Sequence, residues 1–255
     1  NKWLAVGGFL AIGTETDGRA AGQIRIYDFN SRQQVLRFNA HNNVVTALRF
    51  SSDGKYLLSG ATDSTMSCWK MELKSGKPEM KLVKKIVKED MYQEDIQVAG
   101  TSAYTTAFSK LIKYSIPEMK PVISSPITNG KLLYLAVQKN ANLVATVNDA
   151  AELVILDTLL HINQIIQLDA VSSTVSISPD GNLIIVEGDK SNLLLFRKQK
   201  GSYIQQAFTV FEGGNLILGS GFINADRFYA SGGNANLLQF YKLKNRTASV
   251  EIETD

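Results

Sequence analysis

One pattern recurs along the whole chain: a short apolar run, often with an aromatic residue, followed by a polar turn. Its spacing is about 40–45 residues, which fits a repeat of four short strands. A unit of this kind cannot bury its own apolar faces, so neighbouring units must stack on one another. The copies are residues 24–28, 66–70, 111–115, 153–157, 193–197 and 237–241.

Two further apolar runs precede each copy, and a tight turn joins them. In the second and fifth units the turn contains Asp53-Gly54 and Asp180-Gly181. Asp-Gly between two such runs predicts a hairpin, because glycine accepts the positive φ that tight turns require. In the first unit, residues 3–6 and 9–12 flank Gly7-Gly8, which predicts another hairpin and makes residues near Trp3 the first strand of that unit.

A fourth run follows each copy, and no helical periodicity appears anywhere in the chain. The middle runs are apolar on both faces, as strands between two neighbouring sheets should be. We therefore expect an all-β fold of six four-stranded antiparallel units in one domain spanning residues 1–255. The approximate unit boundaries are 1–39, 40–88, 89–125, 126–169, 170–211 and 212–255.

The second unit carries the sharpest motif. It contains Ala40-His41, then Ser59-Gly60, then Asp63 and finally Trp69. This unit resembles a WD repeat, with Ala40 in place of glycine and Lys70 in place of the aspartate after the tryptophan. The other units share the period but not the motif. The resemblance implies a β-propeller of four-stranded blades, with the six visible units either closing directly or forming part of a seven-bladed ring.

In WD repeats the His, Ser, Asp and Trp side chains form a hydrogen-bonded tetrad inside one blade. By position, the tetrad here would be His41, Ser59, Asp63 and Trp69. A buried imidazole needs a partner for each nitrogen, and a buried indole N–H needs an acceptor. His41, Ser59 and Asp63 also have the residue types of a hydrolytic triad, but a triad needs an exposed nucleophile and an oxyanion hole. We favour the structural role.

The remaining chemistry-bearing residues are few. His161 stands alone, and Cys68 lies within an apolar run, so no catalytic residue, metal centre or cofactor is indicated. The most basic stretch gives a candidate interaction patch of Lys81, Lys84, Lys85 and Lys88. It has two interpretations: a site for phosphate or an acidic partner, or an outer strand whose lysines discourage strand-to-strand aggregation. The second interpretation is favoured here.

A net charge of +3 does not by itself indicate nucleic-acid binding, and the single cysteine fits a reducing compartment. We therefore expect a non-catalytic scaffold for other proteins, a subunit of a larger assembly in the cytoplasm or nucleus, with no membrane insertion. The alternative is an RNA-associated subunit, for example in ribosome assembly, that uses the basic patch. A propeller hydrolase is the least favoured. We also expect the main partner contact at the seam between the first and last units.

Overall fold

The computed structural model describes residues 2–9, 21–87, 95–126, 128–188, 192–210, 217–232, 237–244 and 247–251. Within these ranges the chain forms β-strands joined by turns, with one short 3₁₀ helix at Lys139–Ala141. The chain divides into two compact units, Asn1–Ser124 and Ser125–Asp255. All pairs of adjacent strands are antiparallel and follow one another in sequence, so each sheet is a simple meander.

The first unit holds three sheets, numbered 1 to 3 along the chain. Sheet 1 has three strands in the described residues, and sheets 2 and 3 have four each. The strands of sheet 1 are β1 (Trp3–Phe9), β2 (Ala21–Asp28) and β3 (Gln34–Asn39); those of sheet 2 are β4 (Val45–Phe50), β5 (Tyr56–Ala61), β6 (Thr65–Lys74) and β7 (Lys77–Val87); those of sheet 3 are β8 (Ile96–Ala99), β9 (Ser102–Ala107), β10 (Lys110–Ser115) and β11 (Pro121–Ser124).

The second unit holds sheets 4 to 6, each with four strands in sequence order. The strands of sheet 4 are β12 (Leu132–Gln138), β13 (Leu143–Asn148), β14 (Glu152–Leu156) and β15 (Ile162–Gln167); those of sheet 5 are β16 (Val175–Ile177), β17 (Leu183–Glu187), β18 (Asn192–Gln199) and β19 (Ser202–Val210); those of sheet 6 are β20 (Ile217–Phe222), β21 (Arg227–Gly232), β22 (Leu237–Lys244) and β23 (Thr247–Glu251).

The middle strands of sheet 2 contribute to two separate apolar cores. Successive side chains of a strand point to opposite faces, so Leu57 packs with Ile24 of sheet 1, whereas Leu58 packs with Ile96 of sheet 3. Sheets 4 and 5 share a core in the same way, with Val147 and Ile184 among its fully buried members. The prediction of strands apolar on both faces is therefore confirmed.

The two Asp-Gly hairpins form as predicted, and they share one set of hydrogen bonds. In the first, Ser51 Oγ donates to Asp53 Oδ1 (2.7 Å) and accepts from the Tyr56 amide (2.9 Å). Gly54 has φ +70°, and Gly181 in the second hairpin has φ +71°. Ser178 repeats the roles of Ser51, which fixes the first two strands of sheets 2 and 5 in the same register.

The predicted hairpin at Gly7-Gly8 is wrong, because both glycines lie inside the continuous strand β1. A backbone hydrogen bond shows which strand of the four-stranded sheets β1 corresponds to. In sheet 2 the Met71 amide donates to the carbonyl of Lys55, the residue before the second strand, and in sheet 1 the Phe29 amide donates to Lys2 in the same way. Strand β1 is thus equivalent to the second strands of the other sheets, not to their first strands.

A bulge interrupts the pairing of the third and fourth strands at the same place in five of the six sheets. In sheet 2, Cys68 pairs with Lys84 and Trp69 pairs with Leu82, which leaves Val83 as the extra residue. An extra residue bends the strand locally and leaves part of its edge unpaired. The extra residues are Val35, Val83, Val122, Asn163 and Gln206.

Candidate functional site

The densest polar cluster of the described residues lies inside sheet 2 and is centred on the His41 imidazole. The His41 side chain is fully buried. Its Nε2 lies 2.6 Å from Ser59 Oγ, and its Nδ1 lies 2.6 Å from Thr65 Oγ1. Trp69 Nε1 donates to Ser59 Oγ over 2.9 Å, and Thr65 Oγ1 donates to Asp63 Oδ1 over 2.5 Å. Five side chains from one sheet therefore form a continuous chain of hydrogen bonds.

The Asp63 carboxylate at one end of this chain and the Trp69 indole N–H at the other fix the direction of the hydrogen bonds. A carboxylate only accepts, so Thr65 must donate to Asp63, and its oxygen then accepts from His41 Nδ1–H. Neutral imidazole has one N–H, which makes Nε2 an acceptor for the Ser59 hydroxyl. Ser59 in turn accepts from the indole N–H of Trp69. Every donor in the chain finds an acceptor only with His41 as its neutral Nδ1–H tautomer.

Burial agrees with that protonation state. Desolvation lowers the pKa of His41 to about 4, outweighing the nearby negative charge of Asp63, which acts to raise it. Burial alone would raise the pKa of Asp63, but hydrogen bonds from the Thr65 hydroxyl and the Asn42 and Thr65 amides hold it below its usual value. At neutral pH the cluster thus contains one neutral imidazole and one carboxylate held by three donors.

The cluster is also anchored to sheet 1. The Trp69 ring meets Phe38 of β3 edge to face, with ring centroids 4.9 Å apart. Behind the imidazole, the backbone amides of Ala40 and His41 both donate to the carbonyl of Gly22. Because these contacts cross from one sheet to the next, the cluster fixes the packing of two sheets as well as the interior of one.

Three of the four residues assigned from the WD resemblance are in direct hydrogen-bonding contact: His41, Ser59 and Trp69. Asp63 lies 3.5 Å from His41 Nδ1 and reaches it mainly through Thr65, which the sequence reasoning missed. The Asp63-x-Thr65 spacing could have indicated it, since an aspartate side chain commonly accepts the amide two residues on. That bond is present at 3.1 Å.

The predicted basic patch lies on β7, the outer strand of sheet 2. Lys81 is 2.6 Å from Glu72, which also binds Lys70, so this part of the patch is neutralised. Lys84 and Lys85 form no salt bridge with any residue that the structure describes. Lys88 lies outside the described residues. Among the described lysines of the patch, Lys84 and Lys85 are therefore the two that form no salt bridge with a described residue.

Cys68 and His161, the two other residues noted in the sequence, do not belong to a polar cluster of this kind. Cys68 lies in the core between sheets 2 and 3, and burial raises the pKa of its thiol to about 11. His161 is exposed and contacts Asp157 at 2.9 Å. The described ranges contain no group of three or more His, Cys, Asp or Glu residues placed to hold a metal ion. They also contain no helix with the length and apolar character to cross a membrane.

Sheets 4 and 5 each bury a carboxylate that the sequence reasoning did not identify. Glu152 accepts from the side-chain amides of Asn148 (2.7 Å) and Asn129 (2.9 Å). Glu187 accepts from the Ser173 and Ile217 amides (both 3.1 Å). Buried carboxylates must be hydrogen-bonded, and here protein donors meet that requirement. These clusters occupy the sheets that lack the histidine and tryptophan of sheet 2.

Comparison with known proteins agrees with this architecture. A chain in the crystal structure of the mitotic checkpoint complex shares the fold with a TM-score of 0.76 and 10% sequence identity, over 92% of this chain and 72% of that one. The fold is therefore a β-propeller built from antiparallel meander sheets, each of which is one blade.

The sequence comparisons match one segment of the chain. Residues 32–70, which include the His41 cluster, match the model of the WD domain, G-beta repeat family. In Schizosaccharomyces pombe, the target of rapamycin complex subunit wat1 is 40% identical over 60 residues, and meiotic fizzy-related protein 1 is 33% identical over 69 residues. These matches cover 22% and 27% of this chain but only 19% and 16% of the two relatives. Residues 32–70 are therefore similar to one WD repeat, and the chain spans only a small part of the two relatives.

Proposed function

We propose that this chain is a non-catalytic scaffold for other proteins and a subunit of a larger assembly. One observation carries the proposal: the residues of the candidate hydrolytic triad are hydrogen-bonded to one another inside the fold. Ser59 and the His41 side chain are both fully buried, and each is held by partners on both sides. A nucleophile must be reachable by substrate, and this one is not.

The similar proteins support the same interpretation. One is named as a subunit of the target of rapamycin complex, and the structural match comes from the mitotic checkpoint complex. Propeller sheets present rigid loops and outer strands to solvent, and binding residues concentrate on such loops.

Affinity purification of the tagged chain, followed by mass spectrometry and gel filtration, tests the proposal. We expect specific proteins to co-purify and to shift the chain to a larger apparent size. Recovery of the chain alone, together with hydrolytic turnover that is lost in Ser59→Ala, would refute it. Recovery of RNA that nuclease removes, with no protein partner, would favour the RNA-associated alternative that Lys84 and Lys85 support.

The sequence led us to expect the main partner contact at the first and last units, and we propose that the free edge of β1 in sheet 1 takes part in it. In the described residues β1 pairs only with β2, whereas the equivalent strands of the other sheets pair on both sides. A segment that added to β1 would complete sheet 1, because unpaired strand edges readily accept another strand. Protection of the Ala5 and Gly7 amides from hydrogen exchange in the assembly, relative to the isolated chain, tests this proposal.

The cytoplasm or nucleus is the location that we propose. Cys68 is a buried free thiol, which suits a reducing compartment. Cell fractionation of the tagged chain, with markers for the secretory pathway, tests the location.

A further inference from the structure

Strand β7 differs in charge from the other outer strands. It carries four lysines, Lys77, Lys81, Lys84 and Lys85, against one acidic residue, Glu79. The outer strands β3, β11, β15, β19 and β23 together carry two charged residues, Arg37 and Glu251. These strands occupy the same position in their sheets and do without lysines. Protection of an outer edge therefore does not require the charge that β7 carries.

Strand β7 also exposes three large apolar side chains close to its lysines. Leu82 is 51% exposed, Val83 42% and Val87 68%. Leu82, Lys85 and Val87 pair with Trp69, Ser67 and Thr65, and Trp69 packs in the core shared with sheet 1. The three side chains therefore share the face of the sheet that looks toward sheet 1. Lys84 is exposed on the opposite face, beside the bulged Val83. We call Leu82, Val83, Lys84, Lys85 and Val87 the β7 patch.

The bulge limits how a partner can bind. Val83 breaks the regular ladder in the middle of the patch, so an added strand could not hydrogen-bond continuously along β7. Side chains must then provide the recognition. Lys84 and Lys85 form no salt bridge with a described residue, and they lie beside three exposed apolar side chains. Such a surface is complementary to a segment that combines carboxylates with apolar residues.

We propose that the β7 patch binds an acidic, apolar-containing linear segment of a partner protein. Carboxylates of the segment pair with Lys84 and Lys85, and its apolar side chains cover Leu82 and Val87. The inference rests on the proposed scaffold function and adds to it the class of partner and the surface used. It also reverses the interpretation of the lysines that the sequence favoured.

Fluorescence anisotropy with a labelled peptide of alternating glutamate and valine tests the proposal, with an alternating lysine and valine peptide and a single-stranded RNA as comparison probes. We expect the acidic peptide to bind the full chain and the basic peptide not to bind. The double variant Lys84→Glu/Lys85→Glu should weaken binding about tenfold or more, because each substitution turns an attraction into a repulsion.

Two controls separate a defined site from general charge attraction. Lys74→Glu/Lys77→Glu makes the same charge change at the far end of the same hairpin and should alter affinity less than about twofold, because exposed charges beyond a Debye length are screened. Leu82→Ser/Val87→Ser leaves the charge unchanged and should weaken binding several-fold, because it removes apolar contact area. Circular dichroism of each variant verifies its fold.

Several results would overturn the inference: equal loss of binding in both lysine pairs, no binding of the acidic peptide, or tighter binding of the RNA that depends on Lys84 and Lys85. Affinity purification with Lys84→Glu/Lys85→Glu separates the two proposals. Partners retained by wild type and variant alike would refute the role of the β7 patch and leave the scaffold function intact. No partners with either protein would refute the scaffold function itself.

Discussion

The side-chain amide of Gln164 pairs with the backbone of Tyr203 at two points. Gln164 Nε2 donates to the Tyr203 carbonyl over 2.9 Å, and Gln164 Oε1 accepts from the Tyr203 amide over 2.8 Å. The side chain thus acts as a short piece of strand between β15 and β19, the outer strands of neighbouring sheets. We expect Gln164→Ala to lower the free energy of unfolding by about 1–3 kcal/mol, because both backbone groups lose their partner. Urea denaturation measures this, with Gln205→Ala on the exposed part of β19 as the control.

Replacing His41 should change the free energy of unfolding much more than replacing His161. His41→Ala removes the acceptor of the Ser59 hydroxyl and the donor to Thr65 Oγ1 in the core, and should lower the free energy of unfolding by about 1–3 kcal/mol. His161→Ala removes only an exposed contact with Asp157 and should change it by less than about 0.5 kcal/mol. An unchanged melting temperature in a well-folded His41→Ala variant would contradict the structural role of the cluster.

The lowered pKa of His41 predicts that acid destabilises the fold. The unfolded chain binds a proton at His41 near pH 6.5 and the folded chain only near pH 4, so between these values the unfolded state holds more protons. Stability from this group is complete above about pH 7 and falls as the pH drops toward 4, by up to about 3 kcal/mol. Urea denaturation across this range should show a steeper pH dependence for wild type than for His41→Gln. Parallel curves would contradict the neutral tautomer.

Substitutions at Thr65 test its hydroxyl as the hydrogen-bonded link between the His41 imidazole and the Asp63 carboxylate. Thr65→Val keeps the shape but removes both the acceptor for His41 and the donor to Asp63, and should cost about 1–3 kcal/mol of stability. Thr65→Ser retains the hydroxyl and should restore most of that loss. If valine and serine behaved alike in thermal unfolding, the hydroxyl would have no part in the chain.

The fluorescence of Trp69 should be that of a buried indole. With Trp3 replaced by phenylalanine, the remaining indole fluorescence should be quenched only weakly by iodide, because Trp69 is 8% exposed and packs against Phe38. Trp69→Ala should cost about 3–5 kcal/mol through the cavity that it leaves. Strong quenching in the folded Trp3→Phe variant would contradict this placement.

The repeat period and the Asp-Gly turns predicted the sheets because both are local properties of the chain. Gly7 shows where local reasoning fails. A Cβ at Gly7 would lie 2.9 Å from side-chain atoms of Val45 and Leu48, so glycine is needed there for the close approach of β4 and not for a turn. Only the packing of the neighbouring sheet reveals that need. The misassignment of β1 as a first strand followed from the same error.

The WD motif named four of the five members of the buried hydrogen-bond chain, all except Thr65, because their spacing within one repeat is fixed. It did not indicate Glu152 or Glu187, whose partners come from turns and, for Glu187, from the next sheet. Carboxylates occur throughout the sequence, and nothing local marks these two for burial. Their hydrogen bonds depend on register and sheet packing, which a single sequence does not display.

The recurrent bulge has a consequence for how such a chain can change through evolution. The bulged position is occupied by valine in three sheets, by asparagine in one and by glutamine in another. Because the pairing register creates the bulge, no particular side chain is needed to maintain it. Duplication of a repeat that has this register would therefore also copy a feature that opposes fibril growth along its outer strand. Later substitutions can give one copy a charged surface without removing that defence from the others.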